Sequence, residues 1–166
     1  MKRINLRTLV TIALLVAINI VLTRIFVIYI TDFARLDLGN VPLLLSGLLF
    51  GPVAGALTGG VADVMGALIS GRGWFPPLTF GPILMGLIPG LLGLWYRKSP
   101  TLTKIVFIIV LGEFFASVLW KTYWLSVLYG ISYFACLMAR LPAIIPLTIV
   151  EIILVYILYR RLVKEF

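Results

Sequence analysis

Apolar residues in this chain come in long runs, and polar residues gather between the runs rather than alternating with them. Runs over 7–28, 52–70, 78–96, 104–124 and 137–159 each approach the roughly 20 residues that a helix needs to cross a hydrocarbon layer about 30 Å thick. The stretch 41–50 is apolar but short, and 29–40, carrying Asp32, Arg35 and Asp37, reads as an outer loop. Lys2, Arg3 and Arg7 open the chain, Arg97, Lys98 and Lys104 interrupt its middle, and Arg160, Arg161 and Lys164 close it. Basic residues collect at cytoplasmic ends, so the first and middle clusters share a side, which requires three crossings between Asn40 and Arg97. Residues 41–50 therefore count as a short, tilted helix. The pattern predicts an all-α membrane protein of six transmembrane helices, one domain over 1–166, with both termini cytoplasmic. The first run has no clear small-residue cleavage site before Arg24 and is read as a retained span rather than a signal peptide.

Between residues 35 and 90, glycine and proline break the apolar runs. Backbone released from helical bonding at membrane depth must be satisfied by protein or line a wet cavity, so this stretch is read as the wall of an internal pocket. Pro52 and Pro82, each after Phe-Gly, are expected in the first turn of a helix, where a missing N–H costs nothing. Ala13 and Ala17, Gly55 and Gly59, and Gly86 and Gly90 each lie four apart, the small-residue spacing that lets helices approach closely.

Composition narrows the function. With 62% hydrophobic and 12% charged residues, the chain lies far from soluble proteins, in which about 25% are charged. The net charge of +8 flanks apolar runs rather than forming a basic face, which argues against nucleic acid as a partner. There is no histidine, and Cys136 is the sole cysteine; His-based triads, imidazole or thiolate metal sites and internal disulfides are set aside. The chain lacks G-x-x-x-x-G-K-[ST], so ATP is not bound by a P-loop. No catalytic constellation is found, and no enzyme activity, metal or cofactor is expected.

Nine of the fourteen lysines and arginines belong to the cytoplasmic clusters. The other five, Arg24, Arg35, Arg72, Lys121 and Arg140, map to the outer half. A basic side chain at a helix centre costs about 2.5–3.5 kcal/mol on insertion scales and so faces an interior or a wet cavity. Five of them, against few outer carboxylates, point to an anion site. Trp74 and Phe75 follow Arg72, and Trp120, Tyr123 and Trp124 surround Lys121; flat rings beside cations suit a planar heterocycle bearing a carboxylate. Asp63, Glu113 and Glu151 stand isolated, and a structural partner such as a helix end or an arginine is expected for each rather than a proton relay.

The run Arg35-Leu36-Asp37-Leu38-Gly39-Asn40-Val41-Pro42, then Gly47-Leu48-Leu49-Phe50-Gly51-Pro52 with Gly55, Asp63 with Gly66, and Gly73-Trp74-Phe75-Pro76, resembles the substrate-binding S components of energy-coupling factor (ECF) vitamin transporters. Within them the pattern is most similar to the folate-specific members. The resemblance implies an outward-facing pocket, in the cell membrane of a prokaryote, that captures a vitamin under a lid formed by the loop after the first span. It also implies association with a transmembrane T component and two cytoplasmic ATPases, with Ala13 and Ala17 touching the T component. Folate joins a planar pterin to a glutamate tail with two carboxylates. Trp74, Phe75, Trp120, Tyr123 and Trp124 would then serve the rings, Arg24, Arg72, Lys121 and Arg140 the carboxylates, and Asp37 or Asn40 the pterin's amino edge. Arg35 is the remaining outer cation of the candidate site. The competing readings are another vitamin on the same scaffold, such as pantothenate or pyridoxine, and a stand-alone secondary carrier using Asp63 or Glu113 as its proton site.

Overall fold

A computed structural model describes residues 6–30, 34–71, 73–98 and 101–162. Lys2, Arg3, Asp32, Arg72 and Lys164, named above, lie outside the described residues. The described chain is helical apart from one short ladder: α1 (Leu6–Arg24), β1 (Ile28–Tyr29), β2 (Arg35–Leu36), α2 (Asn40–Phe50), α3 (Pro52–Ser70), α4 (Pro76–Lys98), α5 (Leu102–Tyr129) and α6 (Tyr133–Leu162). Five of these helices are long and apolar enough to cross a membrane, and α2 is the shorter sixth.

The 11 residues of α2 rise about 16 Å, roughly half of a hydrocarbon core. A helix apolar on every side belongs inside protein, and residues 41–48 are accordingly all buried. Leu44 and Leu48 meet Ile105, Ile108 and Ile109 of α5 and Val155 of α6 in a core from which solvent is fully excluded. This plug closes one end of the bundle.

Helices α2, α3 and α4 pack backbone to backbone. A Cβ at Gly55 would fall on the Gly86 carbonyl, one at Gly86 on the Gly55 carbonyl, and one at Gly47 again on Gly86. At Gly90 a Cβ would strike Pro52. The chain passes from α2 into α3 through Gly51 alone, at φ 101°, a conformation that favours glycine. The outer faces carry exposed Val53, Leu57, Leu68, Ile69 and Phe134, side chains suited to lipid.

The structure corrects several expected boundaries. The first helix stops at Arg24, where the Ile25 and Phe26 amides both donate to the Val21 carbonyl, and the expected loop holds an antiparallel ladder pairing Ile28 with Leu36 and Tyr29 with Arg35. Pro52 opens α3 as expected, but Pro82 is internal to α4, which begins at Pro76. Proline is tolerated there because neighbouring helices can take up the freed backbone groups; the Pro82 carbonyl itself lies against Gly59. Between α5 and α6 only residues 130–132 remain as a link, with Gly130 left-handed, shorter than the gap between the apolar runs 104–124 and 137–159.

Candidate binding cavity

A cavity of about 510 Å³ lies above the apolar plug, within the size range of sites that enclose small molecules. Every helix contributes: Arg24 from α1, Asn40 from α2, Asp63 and Ala67 from α3, Leu78 from α4, Glu113, Ser117 and Lys121 from α5, and Arg140 and Glu151 from α6. Tyr29, Ala34, Arg35 and Asp37 enter from the ladder region, and Gly73, Trp74 and Phe75 from the α3–α4 connection.

Four cations and four carboxylates therefore face one chamber, and their pairing sorts them. Arg35 Nε lies 2.9 Å from Asp37 Oδ2, and Arg24 Nη2 lies 3.8 Å from Asp63 Oδ1. Gly66 makes room for the second pair, since a Cβ there would press on the Arg24 guanidinium. Thr79 Oγ1 donates to Asp63 Oδ2 at 2.8 Å and accepts from Trp74 Nε1 at 2.9 Å, so this carboxylate also anchors the α3–α4 connection. Asp37 Oδ1 accepts from the Gly39 amide at 3.0 Å, and Asn19 Nδ2 donates to the Gly39 carbonyl, tying α1 to the start of α2.

Lys121, Arg140, Glu113 and Glu151 make no ion pair among the described residues. From Glu113 to Lys121 the α5 chain winds as a π-helix, a rare form that gathers at functional sites. Within it the Ser117 carbonyl accepts from the Thr122 amide and hydroxyl and from Arg140 Nη1, at 3.1 Å for the last. Arg140 Nη1 also donates to Thr122 Oγ1, and Nη2 to Ser117 Oγ at 3.2 Å. Neutral groups thus hold a buried guanidinium in place and leave its charge uncompensated. Asn40 Nδ2 donates to Glu113 Oε1 at 2.7 Å. Glu151, with no solvent exposure, faces Glu113 and Asn40, yet neither of its oxygens has a well-aligned hydrogen bond. A buried polar group without a partner costs about 1–3 kcal/mol, and more when charged.

The structure gathers Arg24, Arg35, Asp37, Asn40, Trp74, Phe75, Lys121 and Arg140 around this chamber. It does not bring Trp120, Tyr123 and Trp124 there. Trp120 Nε1 donates to the Pro77 carbonyl at 2.7 Å and its ring packs on Phe80, Trp124 packs on Phe75, and Tyr123 is exposed on the outer surface. Nearness to Lys121 along the chain does not carry these three rings into the chamber. The expected structural partner of Glu113 is Asn40, and Glu151 lies against Glu113 and Asn40 with no well-aligned hydrogen bond among the described residues. Their place on the cavity wall was not legible, because only the packing of α5 against α6 brings them together.

A helical bundle with membrane-length apolar helices and a charged, enclosed chamber defines an integral-membrane small-molecule-binding protein. The chain matches the family of the ECF transporter, substrate-specific component, over residues 7–163, and belongs to it. This is a family of transporter components of prokaryotic cell membranes, not of enzymes. The folate transporter FolT of Clostridium novyi (strain NT) is 28% identical over 131 residues, 78% of this chain and 73% of that one. A crystal structure of FolT bound with folic acid superposes with a TM-score of 0.82 at 28% identity, covering 95% of both chains. The S component of a bacterial ECF transporter gives a TM-score of 0.58 at 29% identity over 96% of both chains.

Proposed function

We propose that this S component captures folate, with the pterin against Glu113 and Glu151 and the glutamate tail against Lys121 and Arg140. The observation that carries the reading is the set of charges left after internal pairing. On α5 the acid precedes the base by eight residues, and on the antiparallel α6 the base precedes the acid by eleven. Both acids therefore sit toward the plug side of the chamber and both cations toward the other. A ligand with a donor-rich flat head and two carboxylates at its far end answers that polarity. FolT binding folic acid on the same fold supports it.

The chamber opens outward, on the side of the ladder formed by residues 28–29 and 35–36, which serves as the lid over the tail. Six crossings, with the short α2 as the second, place both termini in the cytoplasm. Lys104 over Trp95 at 4.7 Å and Arg160 over Tyr156 fit a cytoplasmic interface. The chain acts as one membrane domain and associates with a T component and two ATPases. Ala13 and Ala17, both exposed on α1, which buries only Leu15 and Asn19, form the T-component contact.

Calorimetric titration of the purified chain tests this. Folate binds tightly, and Lys121→Ala weakens it by at least about 1 kcal/mol, the scale of one lost hydrogen bond. Pteroate, which ends in one carboxylate instead of two, is weakened less by the same substitution. Unchanged folate affinity in both Lys121→Ala and Arg140→Ala overturns the assignment.

A further inference from the structure

We infer that Asp63, acting through Thr79, positions the indole of Trp74 as a fixed aromatic wall for the flat part of the ligand. The inference rests on the folate reading and extends it to two residues that act through a third.

A threonine hydroxyl has one proton to give and lone pairs to receive with, whereas an ionised carboxylate only accepts and an indole N–H only donates. That inventory sets the direction of the whole chain. Thr79 Oγ1 gives its proton to Asp63 Oδ2 at 2.8 Å, which leaves its lone pairs for Trp74 Nε1 at 2.9 Å. The other oxygen of Asp63 faces Arg24 Nη2 at 3.8 Å, so the carboxylate is held from α1 while it holds α4. Thr79 is buried, and water has little access to compete for its hydroxyl.

Trp74 is fixed in its backbone as well. It follows Gly73, left-handed at φ 82°, and the next ring, Phe75, packs edge-on against Trp124 at 6.0 Å between centroids. Its ring is nevertheless half exposed and borders the chamber. Trp95, Trp120 and Trp124 pack on Phe107, Phe80 and Phe75, but the Trp74 ring has no such neighbour among the described residues. An exposed indole would ordinarily turn among rotamers, and stilling it on binding would cost affinity. Here the hydrogen-bond chain stills it beforehand and leaves a flat surface open to a stacked ring. Asp63 and Thr79 are positioning residues, and Trp74 makes the contact.

Calorimetric titration of folate into the full-length purified chain tests this by a double-mutant cycle. Trp74→Ala weakens folate by about tenfold or more, the scale of one flat heterocycle stacked on an aromatic side chain. Thr79→Val keeps the shape, deletes the hydroxyl and weakens folate by about fivefold to tenfold. Thr79→Ser, which restores the hydroxyl, brings affinity back to within about twofold of wild type. Combined with Trp74→Ala, Thr79→Val costs nothing further, because the two changes remove one contact. Asp63→Asn, whose amide can donate to Thr79 as well as accept, weakens folate more in the presence of Trp74 than in its absence, and it carries the cycle alone if Thr79→Val does not fold. Losses that multiply in the double variants, wild-type affinity in Thr79→Val, or failure of Thr79→Ser to improve on Thr79→Val overturns this inference and leaves the folate reading standing. A wild-type chain that does not bind folate overturns both.

Discussion

The two sides of the bundle are built on opposite principles. The α2–α3–α4 side is closed by absence, with Gly47, Gly55, Gly86 and Gly90 letting backbones touch where a single methyl group would collide. The α5–α6 side is held open by presence, with a π-helical turn, a tethered guanidinium and two buried carboxylates around free space. One side fixes shape, and the other bears the chemistry. Changes on the first should cost folding, and changes on the second should cost affinity while folding survives.

Gly86→Leu sharpens that contrast most. A side chain forced into a backbone contact costs typically 1–3 kcal/mol in a packed core and more where neither helix can yield, so about 3 kcal/mol or more is expected, seen as a large drop in the unfolding temperature in detergent. A Gly86→Leu protein that melts like wild type would break the comparison at once. Glu151→Gln is next. It keeps the shape and removes a carboxyl group that faces the chamber, so folate affinity falls by about tenfold, the scale of one well-placed hydrogen bond, while the unfolding temperature holds. Loss of folding together with affinity would make Glu151 a structural residue.

Thr122→Val is smaller and more specific. It leaves the fully buried volume filled but deletes one acceptor of Arg140, so folate should weaken by about fivefold to tenfold, near 1 kcal/mol, and pteroate, with one carboxylate instead of two, by less. Asp37→Asn should matter least to stability. Its pair with Arg35 is partly exposed, and such pairs contribute about 0–1 kcal/mol; thermal unfolding checks it.

Much of the scaffold was legible in the chain. The five long apolar runs are helices, the short run 41–50 is the core helix α2, and the small residues at spacing four mark close contacts at Gly55 and Gly86. The cations Arg24, Arg35, Lys121 and Arg140 do face a common space. Less legible was the balance of that space. Five cations against few outer carboxylates suggested an excess of positive charge, whereas Asp37, Asp63, Glu113 and Glu151 also face the chamber and two of them neutralise Arg35 and Arg24. The tryptophans misled for a related reason: Trp74 and Trp120 both stand beside a basic residue in the chain, but only Trp74 reaches the chamber, while Trp120 bridges α5 to Pro77.

Hydropathy is a property of the residues themselves, summed over a helix length, and so the sequence alone determined that the chain is a bundle of membrane helices with cations kept from lipid. Which charge answers which is a property of distances between residues far apart in sequence. Asn40 meets Glu113 across 73 positions, and Arg140 meets Ser117 across 23. Only the packing of α2, α5 and α6 could decide those meetings, because Coulomb and hydrogen-bond energies depend on separations of a few ångströms that no spacing along a single helix contains.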